Sequence, residues 1–375
     1  MIKAGIYIHI PFCKVKCVYC DFYSITKKEN QIPIFTDCII KEIDSYKHYA
    51  RKWTFDTIFF GGGTPSILPA KYLEKILNKL HDTFDTSNVT EITLEANPGE
   101  ATLNHLKDIK SLGVNRLSMG FQSFNNNILK LLGRFHESQD CFKTFNNARK
   151  AGFNNINTDM IFNIPGLSVK NWKKDLNKLL NLDPEHISAY SLTVEPSTQL
   201  FNLVRNKKVI MPIEKTDIEQ FLITNDILSK YNYKHYEISN YSKKNKECKH
   251  NMHYWNLSPY LSFGPSSHSY DTKKRWWNVR SLDKYINCVS KSASPIEDSE
   301  TLSIKEKYNE IILNGLRLIN GVNIKDIKSF KKLYNQSKID RIIDKWDCLS
   351  IKNNNIKLTN NGFLFVDEIT KELFV

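Results

Sequence analysis

The sequence predicts an α/β protein built on a parallel sheet with helices outside it, closed as a barrel or left open as a partial barrel. Two observations carry this. From Ala4 to about Val194, short β-like runs alternate with amphipathic stretches of helical period, six times over. Most residues of unusual chemistry also fall at the C-terminal ends of the strand candidates, where the βα loops of parallel folds converge.

The strand candidates are Gly5–Ile10, Asp56–Phe60, Glu91–Glu95, Arg116–Gly120, Asn155–Phe162 and His186–Val194, each bounded by Gly, Pro, Asn or Asp. Between them, Lys71–Phe84 sets Leu73, Ile76, Leu77 and Leu80 on one helical face. Thr102–Leu112 ends at Gly113, Cys141–Ala151 ends at Gly152, and Val169–Leu182 precedes a proline. After Pro212 a helical stretch runs to about Tyr231, followed by a strand-like Lys234–Ile238. An aromatic, loop-like region then contains His250-Asn-Met-His-Tyr-Trp255 and Phe263-Gly-Pro-Ser-Ser-His-Ser269.

Between about Ser290 and Ser303 the chain turns polar, which reads as a linker. Helices are expected at Ile304–Leu318, Ile324–Leu333 and Ile339–Trp346. A hairpin of Leu349–Ile351 against Ile356–Leu358 and a final helix from Thr359 follow, an arrangement like a winged helix. The predicted division is 1–235 for the barrel, 236–290 for an aromatic and histidine-rich extension, and 300–375 for a small α+β, winged-helix-like domain.

The 375 residues are enough for one large domain and a smaller one. No signal peptide and no apolar run of membrane-spanning length is found, which predicts a cytoplasmic protein. Eight cysteines there argue for thiolate chemistry over disulfides. The formal charge of +13 comes from 53 basic residues of which nine are arginine, spread along the whole chain. Lysine drift on a solvated surface explains this better than a nucleic-acid footprint, so nucleic acid is not an expected partner. An anionic inner membrane surface is a second place for such a chain, as a peripheral protein.

Cys13, Cys17 and Cys20 follow the first strand on a C-x3-C-x2-C spacing. Thiolates are soft, strongly donating ligands for iron and sulfide, and three of them leave one iron of a [4Fe–4S] cluster open. S-adenosylmethionine (SAM) can fill that vacancy through its amino and carboxylate groups, and an electron from the cluster then cleaves the sulfonium. The competing readings are an incidental cysteine cluster and a structural zinc site completed by His9; zinc sites usually come as two separated ligand pairs. Gly61-Gly-Gly-Thr-Pro65 ends the second strand, where missing side chains let backbone carbonyls approach an ammonium group.

With these motifs the chain resembles radical SAM proteins of the oxygen-independent coproporphyrinogen oxidase-like group, and within it the HemW heme chaperones. The matching stretches are Tyr7–Cys13, Cys20–Ser24, Gly61–Ser66, Glu95–Gly99, Gly113–Arg116, Gly120–Phe124, Leu132–His136 and His250–Trp255, in the family's order. The resemblance implies a radical SAM partial (β/α)6 TIM-like barrel with Cys13, Cys17 and Cys20 ligating the cluster. It further implies that Tyr7 and Tyr19 border SAM, with Tyr19 near the adenine. Gly62, Gly63 and Thr64 would meet its methionine moiety, and Glu95, Gln122, Arg134 and Asp159 its carboxylate and ribose hydroxyls. His250 is implied as a heme contact; the residues alone equally allow a hydrogen-bonded histidine closing the barrel floor. Heme as cargo, acceptor hemoproteins (membrane-associated ones among them) and an electron donor are the implied partners.

Two departures separate the chain from the coproporphyrinogen dehydrogenases of the group. Phe22 stands where they carry a fourth cysteine, and twelve residues precede Cys13 where they have a longer segment. The expected function is therefore heme delivery with a cluster and SAM; the alternative is radical decarboxylation of coproporphyrinogen III. Whether SAM is cleaved in the working cycle is left open.

Overall fold

A computed structural model describes residues 2–50 and 52–375. Twelve strands form one sheet: β1 (Ile2–Ile10), β2 (Trp53–Gly62), β3 (Glu91–Ala96), β4 (Arg116–Gln122), β5 (Ile156–Phe162), β6 (His186–Ser191), β7 (Lys234–Glu237), β8 (Asn240–Ser242), β9 (Tyr260–Phe263), β10 (His268–Tyr270), β11 (Lys274–Asn278) and β12 (Ile296–Thr301). Their order is β12-β11-β10-β9-β1-β2-β3-β4-β5-β6-β8-β7. The first six pair in parallel in chain order, as the alternation predicts, and β6 does not return to β1. The barrel is open.

Between these strands lie α1 (Ile32–Ser45), α2 (Ala70–Thr83), α3 (Leu103–Ser111), α4 (Asn126–Leu131), α5 (Ser138–Lys150), α6 (Val169–Leu180), α7 (Gln199–Arg205) and α8 (Glu214–Lys230). Leu73, Ile76, Leu77 and Leu80 of α2 are all buried, so the predicted stripe is a core face. Burying each such side chain is worth about 1.5–3 kcal/mol. Thr102 caps α3 by accepting from the His105 N–H. Along β1, Ile6, Ile8 and Ile10 pack into the main core, while Tyr7 faces Phe59 and His250 across the barrel interior.

Three expectations need correction. The stretch 250–255 is not a loop but the helix α9 (Lys249–Trp255). Its first N–H groups are held by a strand carboxylate: Lys249 N donates to Glu91 Oε2 at 3.1 Å and His250 N to Glu91 Oε1 at 3.1 Å. The extension after residue 236 continues the main sheet, with β9 parallel to β1 and the antiparallel β10 and β11 beyond. The polar stretch expected as a linker begins where α10 (Leu282–Ser290) ends, and it holds β12, which pairs with β11.

A separate core follows, built from α11 (Ile304–Gly315), α12 (Ile324–Lys328), α13 (Gln336–Lys345), α14 (Val366–Leu373) and a small sheet of β13 (Val322–Asn323), β15 (Asn355–Leu358) and β14 (Leu349–Lys352), in that order. The predicted hairpin is β14–β15, joined by β13 as a third strand. This unit is stitched to the barrel by backbone bonds, Ile238 N to Arg317 O at 2.9 Å and Ile319 N to Tyr236 O at 3.1 Å. Arg275 adds an ion pair to Glu310 at 2.5 Å. Among the described residues no helix is long and apolar enough to cross a membrane.

Candidate cofactor site

The three half-buried cysteines sit on the loop that leaves β1 at the C-terminal rim of the barrel. Backbone bonds shape this loop: Cys13 N to Ile25 O at 2.8 Å, Val18 N to Leu132 O at 3.2 Å and Cys20 N to Cys17 O at 3.2 Å. The glycine turn after β2 is zipped against it, with Gly63 N donating to Ile10 O at 2.7 Å and Thr64 N to Phe12 O at 2.8 Å. A Cβ on Gly63 would lie 2.7 Å from Phe12 O and 2.8 Å from Ile10 O, closer than backbone atoms tolerate. Gly62, at φ 111°, donates its N–H to Glu95 Oε2 at 3.0 Å. An ammonium group is received by carbonyl oxygens, and of those in the turn Thr64 O already accepts from Ile67 N at 3.0 Å.

Side chains tie the rim into one network. Thr64 Oγ1 donates to Cys13 Sγ at 3.4 Å and accepts from Asn97 Nδ2 at 2.9 Å. Arg134 Nη2 donates to Asn97 Oδ1 at 2.6 Å and to Gly120 O at 2.8 Å, and Nη1 to Cys17 Sγ at 3.4 Å. Two sulfurs thus receive donors that are held by each other through Asn97, as supporting hydrogen bonds to ligating thiolates are in metal sites. Asn97 carries no role in the sequence reading; its place two residues after Glu95, beyond a strand end, was the available signal. Arg134 Nε is buried with no partner among the described residues.

Burial pushes the Cys13 thiol up to about 11, against the Thr64 hydrogen bond, and raises that of Cys20. Such thiols give up their protons to a metal rather than to water. The zinc alternative fails on His9. Its Nε2–H donates to Tyr23 O at 2.9 Å and its Nδ1 accepts from Tyr7 Oη at 3.2 Å, so both ring nitrogens are engaged. Burial lowers this imidazole to about 4. Among the described residues no three His, Cys, Asp or Glu side chains are gathered as ligands of a single ion. The sulfur-rich donor set, its hydrogen-bond donors and the unpartnered guanidinium nitrogen fit an iron–sulfur cluster with an amino-acid ligand beside it.

Below the rim, β3, β4 and β5 bring the other expected residues together. Gln122 ends β4 at φ 66° after a bulge, and a Cβ on Gly120 would lie 2.9 Å from its Nε2 and 3.3 Å from Arg134 Nη2. Asp159 accepts from Asn157 Nδ2 at 2.7 Å and Ser118 Oγ at 3.3 Å. Burial raises Asp159, and burial with the Asp159 charge lifts Glu95 to about 8, against the Gly62 N–H and Arg116. Tyr19 is likewise raised by burial. Arg116, fully buried on β4, is the nearby cation the sequence reading missed.

A pH prediction follows for the metal-free protein. The folded Glu95 holds its proton up to about pH 8, whereas the unfolded chain releases it near the ordinary value of 4.5. The native state therefore binds more protons across that window, and stability falls as pH rises through it. Glu95→Gln keeps an acceptor for Gly62 and removes the titration. Its Tm is expected to match the parent near pH 5 and exceed it above pH 8, by an amount equivalent to about 1–2 kcal/mol. Equal pH profiles in thermal melts would exclude this.

His250 lies elsewhere. Its ring is buried on the barrel floor against Gly5, with Nδ1 bonded to Thr57 Oγ1 at 2.9 Å and Nε2 to Tyr254 Oη at 2.9 Å. Burial pushes it well below the usual imidazole range. Both ring nitrogens are thus engaged, the arrangement expected of a hydrogen-bonded histidine closing the barrel floor; a heme contact at His250 would require one of these bonds to break. The same helix turns Asn251, Tyr254 and Trp255 toward a cavity of about 460 Å³, which Tyr190, Tyr260, Tyr270, Arg275 and Asn314 also line.

The comparisons agree with this geometry. The Radical SAM superfamily matches residues 7–179. The heme chaperone HemW of Bacillus subtilis (strain 168) is 34% identical over 332 residues, covering 88% of this chain and 87% of that protein. The heme chaperone HemW of Escherichia coli (strain K12) is 34% identical over 327 residues, covering 84% and 83%. The structure of coproporphyrinogen III oxidase (HemN) from Escherichia coli, described as a radical SAM enzyme, superposes with a TM-score of 0.85 over 100% of this chain and 90% of that one. At 20% identity that likeness speaks for the fold. With an open parallel barrel, a three-cysteine loop at its rim and relatives of this identity along most of its length, the chain belongs to the HemW family of radical SAM proteins.

Proposed function

We propose that this protein carries heme to acceptor hemoproteins, using a [4Fe–4S] cluster on Cys13, Cys17 and Cys20 together with SAM. The observation that carries the reading is the relation to heme chaperones along most of the chain at 34% identity, against 20% to the structurally matched oxidase. Phe22 in the place of a fourth cysteine supports it.

A cluster with an open iron, when bound, supplies one-electron cleavage of a sulfonium. The chain's own residues orient its partner. Arg134 receives the SAM carboxylate on its free Nε, and the carbonyls of Gly62, Gly63 and Thr64 take the ammonium group. Glu95, Gln122 and Asp159 meet the ribose hydroxyls, while Tyr7 and Tyr19 border the ligand and exclude water from it. Glu95, lifted to about 8, suits this role, because a protonated carboxyl donates where a carboxylate only accepts.

Heme binds against the open face of α9, in the cavity beside the C-terminal unit. Tyr254, Trp255, Tyr260 and Tyr270 offer flat, largely apolar surface, and Arg275 suits a propionate. The acceptors, a membrane-associated one among them, take heme from this side.

Anaerobically rebuilt protein is expected to bind heme and pass it to an apo-hemoprotein. Conversion of coproporphyrinogen III with SAM and reductant would instead establish the oxidase reading. Trp255→Ala is expected to weaken heme binding about tenfold, the loss of about 1.4 kcal/mol of aromatic contact, without disturbing the cluster. His250→Ala is expected to lower Tm through the floor bonds it removes and to leave the heme spectrum of bound protein unchanged. A shifted Soret band in His250→Ala would return the ligand role to His250.

A further inference from the structure

The cavity beside α9 has a single cation in its lining, Arg275, and a single acid, Glu237. The Arg275 guanidinium lies over the Tyr270 ring, 5.2 Å from its centre. It is not free. Its Nη1 stands 2.5 Å from Glu310 Oε1, while the cross-strand neighbour Glu300 is 3.7 Å away with its side chain half in water. Glu310 belongs to α11, and only 14% of its side chain is exposed. Its second oxygen is buried with no partner among the described residues, so Arg275 is the group that offsets its charge. Asn314, one turn further along α11, lines the cavity and donates from Nδ2 to Tyr254 O at 3.2 Å. Main-chain bonds tie both ends of this helix to the barrel, Leu302 N to Lys273 O at 3.0 Å before it and Ile238 N to Arg317 O at 2.9 Å after it. The helix is a fixed wall, and it keeps Glu310 within reach of Arg275.

We infer that Glu310 is a built-in competitor for Arg275, which loosens the cavity's hold on a carboxylate-bearing ligand and speeds its release. The inference rests on the proposal that heme occupies this cavity, and it names the residue that governs letting go. With Arg275 on Glu310, the charge of the guanidinium is already met. A ligand carboxylate that takes Arg275 leaves Glu310 buried and unpaired, which is strongly unfavourable. The ligand's gain is thus opposed by the loss at Glu310, and the hold is weaker than that of an unopposed guanidinium–carboxylate pair. That suits a carrier, because what it binds must also leave. An ion pair serving only to join α11 to β11 would not discriminate among ligands by their charge.

The test uses the full chain with hemin and hemin dimethyl ester as probes. The ester keeps the macrocycle and the iron and has no carboxylate to offer. Glu310→Gln preserves the shape of the side chain and removes its charge. It is expected to bind hemin about tenfold more tightly and to pass it to apomyoglobin about tenfold more slowly. Its affinity for the dimethyl ester is expected to match the parent. The double variant Arg275→Met, Glu310→Gln, which buries no lone charge, is expected to bind hemin no more tightly than the parent, assigning the gain to Arg275. Parent-like hemin affinity and transfer in Glu310→Gln, with Trp255→Ala still weakened, would overturn this inference alone. An equal gain for the ester would overturn it too, as the mark of a packing effect. A parent that binds no hemin, or whose hemin binding is indifferent to Trp255→Ala, would overturn the heme placement and this inference with it.

Discussion

Cys17→Ala is expected to leave a folded protein that takes up essentially no four-iron cluster. Iron after anaerobic rebuilding should fall from about four atoms per chain toward zero, because two thiolates do not hold a cubane that already has one open iron. The fold should survive, since the loop's shape comes from main-chain bonds to Ile25, Leu132 and within the Cys17–Cys20 turn, not from the sulfurs. A stability change within about 1 kcal/mol is expected in the metal-free state. Iron and sulfide analysis beside a thermal melt reads both quantities. A Cys17→Ala protein that retains four irons would remove the ligand assignment.

Arg134→Ala is the second large effect. The substitution removes the donors from Asn97 Oδ1, Gly120 O and Cys17 Sγ in one step. Hydrogen bonds to charged groups are worth about 1.5–3 kcal/mol each. Relaxation shares the loss, so a destabilisation of about 3 kcal/mol is expected. If the free Nε meets the SAM carboxylate, affinity should also fall about a hundredfold, or about 2.8 kcal/mol. Arg134→Lys should rescue little, because an ammonium on a flexible stem cannot span three fixed acceptors and a carboxylate. Anaerobic calorimetry with SAM decides it. Parent-like affinity in Arg134→Ala would take this residue out of the binding site.

Much of this arrangement was legible in the sequence because its parts are local. The six strand–helix alternations carry their own period, and the cysteine spacing carries its own chemistry. What was not legible depended on distant partners. The helix at 249–255 is only seven residues, of which Lys249 and Met252 alone are strong helix formers, and its first turn is secured by Glu91, some 158 residues away. The strand at 296–301 is almost wholly exposed and polar, so its pairing with β11 leaves no hydrophobic alternation to read. Asn97 escaped notice for the same reason. Its importance lies in bridging Thr64 and Arg134, which only the fold brings together. For His250 the sequence left two readings open, and the hydrogen bonds to Thr57 and Tyr254 depend on partners 193 and 4 residues away that only the fold assembles.

The close fit of Gly63 against Ile10 and Phe12 has a wider consequence. The segment that would present carbonyls to the sulfonium ligand and the segment that displays the sulfurs are, mechanically, a single plate. Displacing either edge tilts the other, so metal loading and ligand affinity are not independent traits that selection or mutagenesis can tune one at a time. The rim can change only as a block.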